Sequence, residues 1–190
     1  MSKISKKLSY LLRHNPEDLD MNIQGWVSVD KLIDRLDITL EDLEDEAKSD
    51  GKQRFDLDLS NNKMRANQGH SIEWVELDLE RTEPPYYLFH GTKKESADSI
   101  RKEGMKKQTR NHIHLSTDIE TAWDVGKRYS KKDLPEILII KALDMYEDGY
   151  DFFLSKNNVW LSDYIPPKYI LDDSIISKKE DAKSRLDKLD

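Results

Sequence analysis

The residues best suited to chemistry are histidines and arginines, and they fall in short polar clusters rather than scattered over the chain. All five histidines lie in such clusters: Arg13-His14-Asn15-Pro16, Gln68-Gly69-His70-Ser71, His90-Gly91-Thr92 and His112-Ile113-His114. An imidazole changes charge near neutral pH, so each could pass a proton during a reaction. Arg13, Arg65 and Arg110 each stand close in sequence to one of these histidines. A planar guanidinium grips phosphate oxygens through parallel hydrogen bonds, and three together would neutralise a dianionic phosphomonoester. A single arginine or histidine taken alone reads as a solvated charge or a satisfied structural ring. The repeated pairing favours phosphate chemistry.

Two other chemistries compete. His112 and His114 are two apart in a predicted strand, so both would face one side and could hold zinc with His90 as third ligand, as in a metal-dependent phosphoesterase. No cysteine and no His-Glu-x-x-His pattern supports that reading, and the expectation is no metal. Neither a Rossmann fingerprint nor a P-loop is present, so glycine-rich loops give no route to a nucleotide.

The elements that must position these residues follow from periodicity. Ile4, Leu8, Leu11 and Leu12 recur at helical spacing, which predicts a helix over 3–14 stopped by Asn15-Pro16. Arg13 and His14 then occupy its last turn, where the helix dipole favours cations. Ser28 caps a second helix through Val29, Leu32, Ile33 and Leu36. Thr39 and Asp42 open a third that Gly51 closes. Phe55, Leu57 and Leu59 alternate with Asp56 and Asp58, turn at Ser60-Asn61-Asn62, and return through Met64 and Ala66. Arg65 and Asn67 are left for the wet face. Three helices and a hairpin form the element list of a winged-helix lobe.

Glu83-Pro84-Pro85 marks a change of pattern. Beyond it the sequence predicts a strand over Tyr86–His90 and a helix capped by Thr92 and Glu95 that ends at Gly104. A strand over His112–Leu115 and a helix capped by Thr117 and Glu120 come next. A buried strand spans Glu136–Leu143, and a hairpin turns at Lys156-Asn157-Asn158. The charged tail after Ile176 reads as a helix. The fold class is α+β, in two lobes at residues 1–83 and 84–178, with a tail at 179–190.

Composition bounds the partners. The 190 residues carry a net charge of −7, with 36% charged and 36% hydrophobic residues and no cysteine. An acidic chain disfavours a nucleic-acid partner at first sight, but Lys3, Lys6, Lys7 and Arg13 precede any acid while 17–50 is rich in Asp and Glu. The start is not a signal peptide and no apolar run could span a bilayer. A soluble, cytoplasmic, monomeric protein is expected.

At these residues the chain resembles the tRNA 2'-phosphotransferase family. The matching motifs are Leu8-Ser9-Tyr10-Leu11-Leu12-Arg13-His14-Asn15-Pro16, Gln53-Arg54-Phe55 and Arg65-Ala66-Asn67-Gln68-Gly69-His70-Ser71. They continue with Leu88-Phe89-His90-Gly91-Thr92, Arg110-Asn111-His112-Ile113-His114-Leu115-Ser116 and Val125-Gly126-Lys127-Arg128. They occur in family order over about residues 5–165. Each motif is weak alone; the ordered set is specific.

The resemblance implies a winged-helix RNA lobe followed by an ADP-ribosyltransferase-like lobe that takes NAD as co-substrate. It implies a tRNA-like substrate carrying a 2'-phosphate, as in tRNA splicing. The phosphate attacks NAD and expels nicotinamide. Transesterification then frees 2'-hydroxyl RNA and ADP-ribose 1'',2''-cyclic phosphate. The family's Arg-His-Arg-Arg quartet falls on Arg13, His14, Arg65 and Arg110. The NAD positions fall on His90, Gly91, Thr92, His114, Leu115, Ser116, Arg128 and Val159. The alternatives are a non-catalytic RNA or ADP-ribose binding module, or a general nucleic-acid ADP-ribosyltransferase.

Overall fold

A computed structural model describes residues 2–49, 53–130 and 133–171. Gly51 and the tail after Ile176 lie outside the described residues. The chain divides into two compact units. One holds residues 1–79, 108–111 and 155–158; the other holds 80–107, 112–154 and 159–190.

The first unit begins with α1 (Lys3–Arg13), capped by Ser2, whose side chain accepts from the Ser5 amide at 2.8 Å. Then come β1 (Val27–Ser28), α2 (Val29–Leu36), α3 (Leu40–Ser49), β2 (Phe55–Asp58), a 3-10 turn (Leu59–Asn61) and β3 (Lys63–Ala66). The predicted capping box of α3 is present: the Thr39 amide donates to Asp42 at 2.8 Å, and the Asp42 amide donates back to the Thr39 hydroxyl at 3.1 Å. β3 sits between β1 and β2, antiparallel to both. The two-residue β1 is too short to leave a hydrophobic period in the sequence. Leu8, Leu11, Leu12, Leu32, Leu43, Phe55 and Met64 form one buried core with Val27 and Val29, so the helices and the sheet stabilise each other by shared apolar burial.

Expectations about the hairpin change at Leu59 and Asn67. Leu59 belongs to the turn and is exposed rather than on the apolar face. Asn67 is buried, with its side-chain amide donating to the Gln53 carbonyl at 2.6 Å, because β3 has already ended at Ala66.

The second unit is built on β4 (Tyr87–Thr92) and β7 (Glu136–Lys141), paired antiparallel over their full length. Between them lie α4 (Lys94–Glu103), β5 (Met105–Lys106), β6 (Ile113–Leu115) and α5 (Ile119–Ser130). After β7 come α6 (Ala142–Glu147), β8 (Phe153–Leu154), β9 (Trp160–Ser162) and β10 (Tyr164–Ile165). Both faces of the β4–β7 pair are covered. Leu88, Leu138 and Ile140 join a core with Met145, Phe152 and Trp160; Phe89, Ile137 and Ile139 pack with Ala122 and Trp123 of α5. That is why β7 is apolar at successive positions instead of alternating.

Several boundaries differ from expectation. Thr92 does not cap α4: it stays in β4 opposite Glu136, and Lys93 occupies the cap position. Thr117 does not cap α5 either; the Asp118 carboxylate accepts from the Thr121 amide at 2.7 Å. β7 stops at Lys141, and Ala142-Leu143 open α6. β8 and β9 do pair as the predicted hairpin.

Candidate active site

Arg13 is the last residue of α1 and His14 its C-cap, with the His14 amide donating to the Tyr10 carbonyl at 2.9 Å. The chain then returns beside them. The Ser71 amide donates to the Arg13 carbonyl at 2.8 Å, and the Ser71 hydroxyl lies 2.9 Å from His14 Nδ1. This contact orients the imidazole through Nδ1. At Gly69, with φ +89°, an added Cβ would come into ordinary contact with the Arg13 side chain, 3.6 Å from its Cδ. Glycine suits this place because its backbone is left-handed.

The Arg13 guanidinium lies over the Phe55 ring, 5.9 Å from its centroid, and its Nε and Nη2 are buried without a hydrogen-bond partner. Burial is the main cause that lowers its pKa to about 10, and Arg110 and Arg54 add like-charge repulsion. His14 is held below its usual range by partial burial, then by Arg13 and Arg110. A buried donor left unmade costs about 1–3 kcal/mol, and neighbouring cations add to that. An anion placed here would relieve both penalties.

Arg110 reaches this cluster because residues 108–111 pack with the first unit. Asn111 anchors them: its amide donates to the His70 carbonyl at 2.9 Å, and its side chain donates to the carbonyls of Ile72 and Val75. Arg13, His14 and Arg110 are thus brought into electrostatic contact.

Arg65 is held by other partners. Its Cζ lies 4.4 Å from the Trp26 ring centroid, Nη1 donates to the Gln24 carbonyl at 3.3 Å, and Nε pairs with Asp56 at 3.6 Å. It faces away from the buried Met64 and Ala66, but it is not on a wet face: its side chain is 12% exposed. Trp26, Asp56, Arg54 and Ser71 support this cluster and were not singled out from the sequence. Only Ser71 and Arg54 lay inside a recognised motif, and nothing in a linear pattern shows which hydroxyl meets which ring.

In the second unit, strand pairing brings His90, His114 and Ser116 together. Phe89 and Ser116 exchange two backbone hydrogen bonds of 2.9 Å, and His90 Nδ1 lies 3.1 Å from the His114 carbonyl. A carbonyl only accepts, so Nδ1 carries the proton and Nε2 offers a lone pair. Burial holds this ring's pKa down, against a smaller opposing effect of the His114 hydrogen bond. Leu115 points into the apolar core and Thr92 is buried. Gly91 and Gly126 let α5 lie against β4 with little between the backbones: a Cβ on Gly91 would sit 1.7 Å from the Ala122 carbonyl oxygen. Arg128 is exposed in the last turn of α5, and Val159 immediately precedes β9.

His112 stands before β6 rather than in it. Its ring lies edge-on to Phe153, and Nε2 is 3.8 Å from Asp163. Among the described residues no group of three or more His, Cys, Asp or Glu side chains is placed to hold a metal ion. No helix among them is long and apolar enough to cross a membrane.

The first unit thus sets buried, unpartnered guanidinium donors of Arg13 beside an imidazole held by Ser71. The family model described as RNA 2'-phosphotransferase, Tpt1 / KptA family, matches residues 1–164. A Flavobacterium johnsoniae protein named "Probable RNA 2'-phosphotransferase" is 48% identical over 176 residues, covering 88% of this chain and 93% of its own length. Proteins of the same name from Nostoc punctiforme and Fusobacterium nucleatum are 46% and 41% identical, each over 175 residues and 88% of this chain, and over 94% and 96% of their own lengths. The chain belongs to the RNA 2'-phosphotransferase family, and it is a transferase.

Proposed function

We propose that this enzyme removes a 2'-phosphate from RNA and passes it to the ADP-ribose portion of NAD, with release of nicotinamide. The observation that carries the reading is the Arg13–His14–Arg110 cluster, in which buried guanidinium donors lack protein partners and like charges press on one another. A phosphomonoester relieves both penalties at once. Arg65 adds a cation preset by Trp26 and Asp56. Together the arginines supply the charge neutralisation that a metal ion supplies in other phosphoryl-transfer sites.

NAD is the co-substrate in this reading, and the groups at β4 and β6 suit it. His90 is neutral and presents Nε2 as an acceptor, the partner a ribose hydroxyl needs, beside His114 and Ser116. Gly91, Thr92, Leu115, Arg128 and Val159 complete the proposed NAD residues. An apolar Val159 fits a nucleophile that is already an anion and needs no base. The two units then act as a winged-helix RNA lobe and an ADP-ribosyltransferase-like lobe dividing near Pro84-Pro85, in a cytoplasmic monomer acting on tRNA-like RNA. The helix-rich first unit with its antiparallel β1-β3-β2 sheet supports the former.

The reaction has two steps. The RNA 2'-phosphate displaces nicotinamide and becomes ADP-ribosylated; the neighbouring ribose hydroxyl then attacks phosphorus and frees RNA as its 2'-hydroxyl form. Negative charge grows on the phosphate in the second step, where arginine donors act, and His14 protonates the departing RNA oxygen. Losing one such donor typically costs about a hundredfold, on the order of 3 kcal/mol. Arg65→Ala and His14→Ala are therefore expected to accumulate ADP-ribosylated RNA 2'-phosphate as a slower gel band. Stalling with unmodified 2'-phosphorylated RNA would instead assign these residues to substrate binding or the first attack.

A further inference from the structure

The exposed face of α1 is more cationic than catalysis at Arg13 and His14 requires. At about 100° per residue, Lys3, Lys6, Lys7, Tyr10 and Arg13 fall within an arc of about 120°. Leu8, Leu11 and Leu12 occupy the opposite side and are buried in the core. The three lysines are exposed, and Tyr10 is 51% exposed with its hydroxyl accepting from the Asn15 side chain at 3.3 Å.

Some lysines elsewhere among the described residues are ion-paired, such as Lys31 with Asp20, Lys63 with Asp58, Lys107 with Asp163 and Lys168 with Asp148. Lys3, Lys6 and Lys7 make no ion pair among the described residues. Glu46 accepts from the Ser2 hydroxyl at the cap of the helix. In a chain of net charge −7, a helix face without a single acid is a local reversal of sign.

We infer that this face is a track for the RNA strand flanking the 2'-phosphorylated nucleotide, with Lys3, Lys6 and Lys7 on backbone phosphates and Tyr10 stacked on a base. The inference rests on the proposed function for the identity of the RNA and extends it to residues outside the quartet. Three features favour a nucleic-acid strand: unneutralised charge, an exposed aromatic ring among the lysines, and continuity with Arg13 about 15 Å along the helix axis. Cations track the sugar-phosphate chain while an aromatic face accepts any base, so affinity is gained without sequence preference.

The test compares a 2'-phosphorylated dinucleotide with a 2'-phosphorylated single strand of about ten nucleotides, a length within the usual reach of single-strand sites. Binding is read by fluorescence anisotropy and turnover by product formation. Wild-type protein should bind the longer RNA more tightly. The Lys3→Gln/Lys6→Gln/Lys7→Gln variant should lose that advantage, raise KM for the long RNA alone, and leave kcat and dinucleotide turnover unchanged. Its slope of log affinity against log salt should be flatter by about 2, at roughly 0.7 per phosphate contact. Tyr10→Ala should weaken long-RNA binding between about fivefold and a hundredfold, and Tyr10→Phe should restore it. A triple variant with an unchanged length preference and salt slope overturns the inference, as does one that weakens both RNAs equally. Anisotropy does not need turnover. If neither RNA reacts, the proposed function fails while the binding comparison still decides this surface.

Discussion

His14 is tuned by neighbours that repel its charged form. Partial burial, Arg13 and Arg110 all lower its pKa from the usual 6.5, so the free ring is biased toward neutrality. In the proposed reaction, an arriving phosphate dianion reverses that field and lets the ring take up the proton it would donate. The sign is testable in the free enzyme. Arg110→Ala removes a like charge, so the His14 pKa should rise toward 6.5, as followed by an NMR titration of its ring protons. A pKa that stays put or falls would show that Arg110 does not face His14. The placement of Arg13 and His14 at the end of α1 was legible in the sequence, whereas Arg65 was read on a wet face and is largely buried. The contacts that aim these side chains were not legible. Ser71 on His14, Trp26 and Asp56 on Arg65, and Asn111 anchoring the segment of Arg110 join positions far apart in the chain, and no local period encodes such pairings.

At the scale of elements, α5 and β4 show how backbone packing constrains a site. Gly91 and Gly126 leave no room for a side chain between helix and strand, since a Cβ at Gly126 would approach Pro135 Cβ to 2.7 Å. Overpacking in a core ordinarily costs about 1–3 kcal/mol. At Gly91 the clash is with backbone, which cannot swing aside, so Gly91→Ala should fall at or beyond the upper end of that range. Thermal unfolding should show a fall in Tm of at least several degrees; an unchanged Tm would mean that α5 is not seated as described. Elements driven by a clear apolar pattern were legible: the helical period of α1, the alternation of the β2–β3 hairpin and the continuous apolar run of β7. Side-chain capping of the α-helices formed only away from strands: Ser28, which ends β1, is the cap of α2 as read but makes no side-chain cap hydrogen bond. Thr39 with Asp42 formed its box in a loop, whereas Thr92 is held by pairing with Glu136 and the cap moves on to Lys93. At α5 two adjacent residues, Thr117 and Asp118, both could cap, and the carboxylate prevailed.

At the scale of the whole molecule, each unit carries its own core and its own polar cluster: Arg13 with its buried donors beside His14 and Arg110 in the first, His90 with His114 and Ser116 in the second. Nothing in the hydrophobic pattern signals that residues 108–111 and 155–158 pack with the first unit, because polar contacts such as those of Asn111 and the Lys156–Asp56 ion pair hold them there. The division of labour proposed for the two units makes one demand above all, that phosphate removal consumes NAD. The direct measurement incubates a short RNA carrying one internal 2'-phosphate with the enzyme, with and without NAD, and quantifies 2'-hydroxyl RNA and nicotinamide together. The account predicts no RNA product without NAD and, with it, nicotinamide released in equal amount to the RNA freed. Equal conversion in the absence of NAD, or RNA product formed without matching nicotinamide, would contradict it.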